Sequence, residues 1–233
     1  MAVYKIFPLQ DATMYSRYPL MNTGIDAILE ISNLNPSTVG TPVVARPIIQ
    51  FDQSQISSVI DTFNTGSTAI SASLKSFISN ASGVVMKSDI YAYPLSGSWN
   101  NGSGEYLDNP STTNGVGWEF RSNSGSNPWN IDNFSTNVTA SFLTASKGGG
   151  TWYTASTDIR LNLEYSQSFN LRTAKDINMD VTDIVKTWYS SSKSIPGTYT
   201  KIENNGLTDS NVKFSEKAIN FTIQRYTREA GVR

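Results

Sequence analysis

Asp11, Asp52, Asp180 and Asp183 fall at the ends of segments that read as strands, or at the start of one that reads as a helix. Carboxylates so placed could do three kinds of chemistry. Several converging ones, supplying most of roughly six to eight oxygens, would hold calcium. Two facing each other across a cleft would cleave a glycosidic bond. One by itself, before a helix or inside a turn, would accept backbone N–H groups. The spacing favours capping and turn formation. Glu105 with Asp108, and Asp132 with Asp158, can be imagined as pairs, but their spacing brings neither together. Calcium binding stays open on sequence alone, and no residue is assigned as a metal ligand.

Other catalytic chemistry is restricted by what the chain lacks. It contains no Cys and no His. Without Cys there is no disulfide, thiolate metal site or thiol nucleophile. Without His, both the commonest metal ligand and the usual proton shuttle near neutral pH are missing. The expectation is a protein that is not an enzyme and carries no cofactor. The formal net charge of −1 gives no electrostatic case for nucleic acid or an anionic membrane.

Aromatic residues offer a different kind of site. From Ser96 to Pro128 the chain is rich in Gly, Asn and Ser, yet it carries Trp99, Tyr106, Trp118 and Phe120, with Trp129 just beyond. A connection of that length usually has a job. Trp99 and Trp118 are expected to anchor the loop to the core. Tyr106, Trp129 and Trp152 are the candidates for contact with a glycan or partner, with Tyr106 and Trp129 expected to be the exposed pair.

These residues need elements to hold them. Residues 1–15, Ile25 to Ile31, Val43 to Asp52, Thr68 to Ser79, Val84 to Pro94 and Asp158 to Phe169 read as strands. Alternation marks half-buried β-structure, as where Ile70, Ala72, Leu74 and Ile78 face one way. Pro47 cannot donate to a ladder, which predicts an edge, a bulge or a strand start. Ser54 to Ile60 reads as a short helix. Ile177, Met179 and Val181 form a strand feeding a helical turn, which Thr182 or Asp183 would cap and on which Ile184, Val185 and Trp188 share a face. The fold class expected is all-β: an antiparallel sandwich with one or two short helices and a long aromatic-bearing loop. Residues 1–214 form a single domain and 215–233 a C-terminal strand or extension.

Several phrases occur in the order found in the DNRLRE family. Asp11-Ala12-Thr13-Met14-Tyr15, Arg46 to Asp52, Ile70 to Phe77, Gly97-Ser98-Trp99, and Asp180 to Trp188 followed by Asn204-Asn205-Gly206-Leu207 resemble its motifs across roughly residues 3–215. The resemblance implies a jelly-roll β-sandwich of the kind found in secreted carbohydrate-active proteins, surface adhesins and bacteriophage structural proteins. Gly102 to Trp129 is most similar to the bacteriophage form. The tail from Tyr226 to Arg233 also resembles a phrase in the ATPase lid of Lon-type proteases, but the chain has no Gly-Lys-Ser/Thr phosphate loop to accompany it.

The opening residues Met1 to Pro8 show no basic start and no long apolar run, and no stretch approaches the length needed to span a bilayer. Together these readings predict a non-enzymatic virion structural protein, a neck, tail or head-attached component made in the host cytoplasm. Its expected partners are other virion proteins and copies of itself, in a ring or multi-copy assembly. Phe221, Ile223, Arg225 and Arg228 are the candidate subunit contacts, because an incomplete closing strand would leave an unpaired edge. The alternative is a carbohydrate-binding module of a cell-surface adhesin or a secreted polysaccharide-degrading system, with a surface glycan as its ligand.

Overall fold

A computed structural model of the chain describes residues 3–34, 43–62, 70–77, 79, 88–95, 98–123, 127–129, 149–150, 165–169, 176–193 and 218–224. Strands dominate. In chain order they are β1 (Pro8–Tyr15), β2 (Ser32–Leu34), β3 (Val43–Phe51), β4 (Ser73–Ser76), β5 (Ser88–Pro94), β6 (Phe120–Ser122), β7 (Asn127–Pro128), β8 (Tyr165–Phe169), β9 (Ile177–Asp180) and β10 (Ala218–Gln224). Helix α1 (Gln53–Thr62) follows β3, and helix α2 (Thr182–Lys193) follows β9. Every strand pair is antiparallel. The main sheet runs β1-β3-β10-β5-β8, with β2 also on β3, while β4 pairs with β9 and β6 with β7. The described residues are thus mostly β. What faces the six-stranded sheet among them is not a second sheet of similar size but two helices, the β4–β9 pair and the aromatic loop.

Strand β3 is buried on both faces because it is apolar in both phases. In β3, Ile49 joins one core with Ile56 and Ile60 of α1, Leu74, Met179, Ile184 and Trp188. Its neighbour Ile48 joins another core with Ala12, Met14, Trp99, Val116, Trp118 and Trp129. Adjacent strand residues point to opposite faces, so one strand stitches the helical layer to the aromatic loop.

Pro47 lies in this inner strand and not at an edge. Its place follows from the ladder. It sits opposite Thr13, and Thr13 directs its own N–H and C=O outward, where the Thr23 hydroxyl accepts from the first at 2.9 Å and donates to the second at 2.8 Å. Pro47 therefore turns its missing donor to the other side of β3. There the pairing with β2 ends at Ala45 and that with β10 begins at Ile48. The proline occupies the seam between two partner strands, where no ladder bond is lost.

The segment Ile25 to Ile31, expected as a strand, is irregular. Its polar groups are used to cover the outer edge of β1: besides Thr23, the Glu30 N–H donates to the Thr13 hydroxyl at 3.1 Å. β2 forms later, at Ser32. The expected single helical turn at Thr182 is a twelve-residue helix. Its capping oxygen comes from Asp180, whose Oδ1 accepts the Thr182 N–H at 2.9 Å. The Thr182 hydroxyl is turned to β4 and accepts from the Ala72 N–H at 2.9 Å. In the same way Asp52 caps α1, accepting from the Ser54 N–H at 2.8 Å and its hydroxyl at 2.7 Å. The helices meet where Gln53 donates to the Trp188 carbonyl at 3.0 Å and the Tyr189 hydroxyl to Asp61 at 2.7 Å. Among the described residues no helix is long and apolar enough to cross a membrane.

Two outcomes are expected. Thr23→Val keeps the shape but strands two backbone groups of β1. It should lower unfolding free energy by about 1–3 kcal/mol in urea titrations, with Thr23→Ser recovering most of the loss. The hydrogen bonds from Thr182 hold the Asp180 carboxyl below its ordinary value of 3.8. A depressed folded-state pKa stabilises above the unfolded value and is lost as pH falls through the folded one. Asp180→Asn should therefore lose less thermal stability than the parent between about pH 5 and about pH 2.

Candidate functional site

Two stretches, residues 18–30 and 98–118, are locked together through one buried side chain. Asn22 is 1% exposed. Its Nδ2 donates to the carbonyls of Asn101 at 2.7 Å and Val116 at 2.8 Å, and its Oδ1 accepts from the N–H groups of Gly104 at 2.8 Å and Gly24 at 3.2 Å. An amide has two donors and two acceptor sites, so the hydrogen-bonding capacity is filled. The backbones come close enough that only glycine fits at the contact. Gly102 and Gly115 have φ of 81° and 84°, and a Cβ on Gly115 would lie 2.4 Å from the Gly102 Cα. Both are in the left-handed region that glycine enters without penalty.

On this base the loop presents a tyrosine surface. The Tyr106 N–H donates to Asp26 at 3.0 Å, and its ring lies 5.1 Å from that of Tyr15 and 6.1 Å from that of Tyr18. Arg17 sits over Tyr18, 5.6 Å from the ring centroid. Tyr15 is buried, and its hydroxyl donates to Glu30 at 2.8 Å; burial first, and then Glu30, push its pKa upward. Tyr106 and its neighbours Leu107 and Leu20 remain about half exposed. Leu107 adopts φ of 56°, a conformation that costs a side-chain-bearing residue about 1–2 kcal/mol. Its N–H reaches the Met21 sulfur at 3.4 Å. A strained leucine beside an exposed tyrosine on a rigid base is an arrangement suited to contact.

Tyr106 is exposed, as expected. Trp129 is not: it is 4% exposed, and its indole donates to the Gly117 carbonyl at 3.0 Å. The β6–β7 hairpin turns the chain back just before it, which places the ring in the aromatic core rather than at the surface. Trp99 and Trp118 are buried there too. Trp152, Arg225 and Arg228 lie outside the described residues, as do Asp132 and Asp158. Phe221 and Ile223 stand opposite Ala92 and Ile90 of β5, while the pairing of β10 with β3 spans Ala218 to Asn220. Asp108 forms a turn: it accepts from the Glu105 N–H at 2.9 Å, and that bond leads the interactions holding its carboxyl below the ordinary value. Among the described residues no three acidic side chains converge to hold a metal ion. The sequence reading missed Asn22. Its only signal was proximity in sequence to Thr23 and Gly24, which says nothing of partners about 80 residues away.

Comparison with known proteins corrects the family resemblance. The family model that matches is the Lon protease AAA+ ATPase lid domain, over residues 203–233, and not a DNRLRE domain. The lid match covers a small part of the chain and includes β10, which lies between β3 and β5. No curated protein and no solved structure matches the chain.

Asn22→Ala should unfold this region first. The four backbone groups lose a buried partner, and the expected loss is at least about 2 kcal/mol. Amide hydrogen exchange should quicken at Gly104 and Val116 before it does in β3.

Proposed function

We propose that this chain is a non-enzymatic structural protein that works through protein–protein contact, as a multi-copy component of a bacteriophage virion. The observation that carries the contact reading is the Tyr18–Tyr106–Leu107 surface. Aromatic and aliphatic groups are exposed there on a base held by buried hydrogen bonds, so little order remains to be gained on binding. The absence of His and Cys from the sequence supports a building block over a catalyst. The virion assignment rests on the Ser/Asn-rich β composition together with that lack of catalytic residue types. A jelly-roll-like sandwich is the finer architecture we propose, supported by the all-antiparallel pairing of the main sheet.

A second reading has its own observation. The exposed ring of Tyr106, beside Asp26 and near Glu30, could stack on a sugar while the carboxylates accept from its hydroxyls. Glycan-array binding by the parent that disappears in Tyr106→Ala would favour this module over the structural one.

Mass spectrometry of purified virions should find the chain in several copies. Leu107→Asp should reduce its incorporation about tenfold or more, the effect of losing ~1.4 kcal/mol of contact energy, without lowering its melting temperature. Absence of the chain from particles would end the virion reading.

A further inference from the structure

Away from the tyrosine surface, Ser98, Trp99, Asn100, Arg121, Ser122 and Asn127 line a half-open pocket of about 140 Å³. Its walls are the start of the aromatic loop and the β6–β7 hairpin. They are tied together: the Asn100 N–H donates to the Arg121 carbonyl at 3.1 Å, its side-chain amide to the Ser122 hydroxyl at 2.9 Å, and the Val116 N–H to the Asn100 carbonyl at 2.8 Å. Gln10 donates to the Trp99 carbonyl at 3.2 Å and fixes the floor to β1. The pocket is therefore preformed, and it has room for roughly four or five water molecules at liquid density.

Its chemistry is one-sided. Among the described residues Arg121 is the only charged one lining it. The guanidinium makes two long contacts through Nη1, to the Ser98 hydroxyl at 3.3 Å and carbonyl at 3.5 Å. Nε and Nη2, the edge that forks onto two oxygens, make no hydrogen bond among the described residues. The other lining groups are hydroxyls, amides and an indole. Trp99 is buried, and its indole N–H has no acceptor among the described residues.

We propose that this pocket is a carboxylate-binding site. The Nε/Nη2 edge of Arg121 takes the two oxygens side by side, the geometry for which a guanidinium is shaped and an ammonium is not. The Asn100 and Asn127 amides and the Ser98 hydroxyl supply neutral partners around it. The carboxylate comes either from a small free acid or from an Asp or Glu side chain of a second copy.

Acetate titrated into the full chain against chloride at constant ionic strength separates these cases. The readout is the tryptophan indole region of the ¹H–¹⁵N spectrum, with the Trp99 signal identified by its loss in Trp99→Phe. The Trp99 signal should move saturably while that of Trp129, already bonded to Gly117, stays in place. Arg121→Gln should abolish the movement. Arg121→Lys, which keeps the charge without the fork, should need about tenfold more acetate. Sedimentation assigns the source: a parent oligomer that acetate disperses and Arg121→Gln lacks points to an acidic side chain of a second copy. A parent that is monomeric and still binds acetate points to a free acid. A Trp99 signal that acetate leaves unmoved, or that moves equally in the parent and both Arg121 variants, would overturn the proposal. Neither result depends on the Tyr106 surface.

Discussion

Four hydrogen bonds made by one buried amide hold residues 18–30 and 98–118 together. Asn22 has no exposed surface to speak of, so each of its polar groups must find a partner inside or leave a costly vacancy. The partners it finds are backbone groups from three separate places: its own turn at Gly24, the loop at Asn101 and Gly104, and the return at Val116. The close approach of Gly102 and Gly115 is possible only because these bonds draw the backbones together. What the loop then carries, Trp99 and Trp118 inward and Tyr106 and Leu107 outward, follows from that anchor.

The aromatic layer has a second tie at its far side. Arg46 is buried in β3, with its guanidinium 4.9 Å from the Trp118 ring and Nη1 donating to the Gly149 carbonyl at 3.1 Å. A cation over an indole face, shielded from water, contributes about 2 kcal/mol. The glycine is again required, since a Cβ at Gly149 would stand 2.6 Å from Nη1. So the sheet grips the loop through β1 and Asn22 on one flank, and through β3 and Arg46 on the other. The opposite face is chiefly apolar. There Ile56, Ile60, Ile184 and Trp188, spaced four apart in their helices, pack with Ile49 in one apolar core, and the polar ties run between the helices, from Gln53 to the Trp188 carbonyl and from Tyr189 to Asp61.

That contrast explains which parts could be read from the sequence. The strands β1, β3, β5 and β9 and the helix α1 carry their period in their own residues, and the alternation of Ile177, Met179 and Val181 placed the second helix correctly. Trp99 and Trp118 read as anchors because a long polar loop must be pinned somewhere. Local pattern failed where a partner distant in sequence decides. Pro47 read as an edge, a bulge or a strand start, because nothing near it reveals that β2 stops and β10 starts beside it. Ile25 to Ile31 looked like a strand, although its polar groups serve the neighbouring one. Trp129 looked exposed because its hairpin with Phe120 is invisible in composition. The cap of α2 was misplaced by only two or three residues, a shift that Thr182 makes by turning its hydroxyl to Ala72.

The position of β10 has a further consequence. It is the strand that joins β3 to β5, so the sheet consists of two separate pieces until residues 218–224 arrive between them. Its pairing with Ile48 and Ile49 closes one of the longest loops the chain can form, and contacts of that kind are slow to make. On the ribosome, β1–β3 and β5–β8 must wait, each with an open edge, while the rest of the polypeptide is translated. Of the described strands, the last in chain order is the one that makes the sheet continuous.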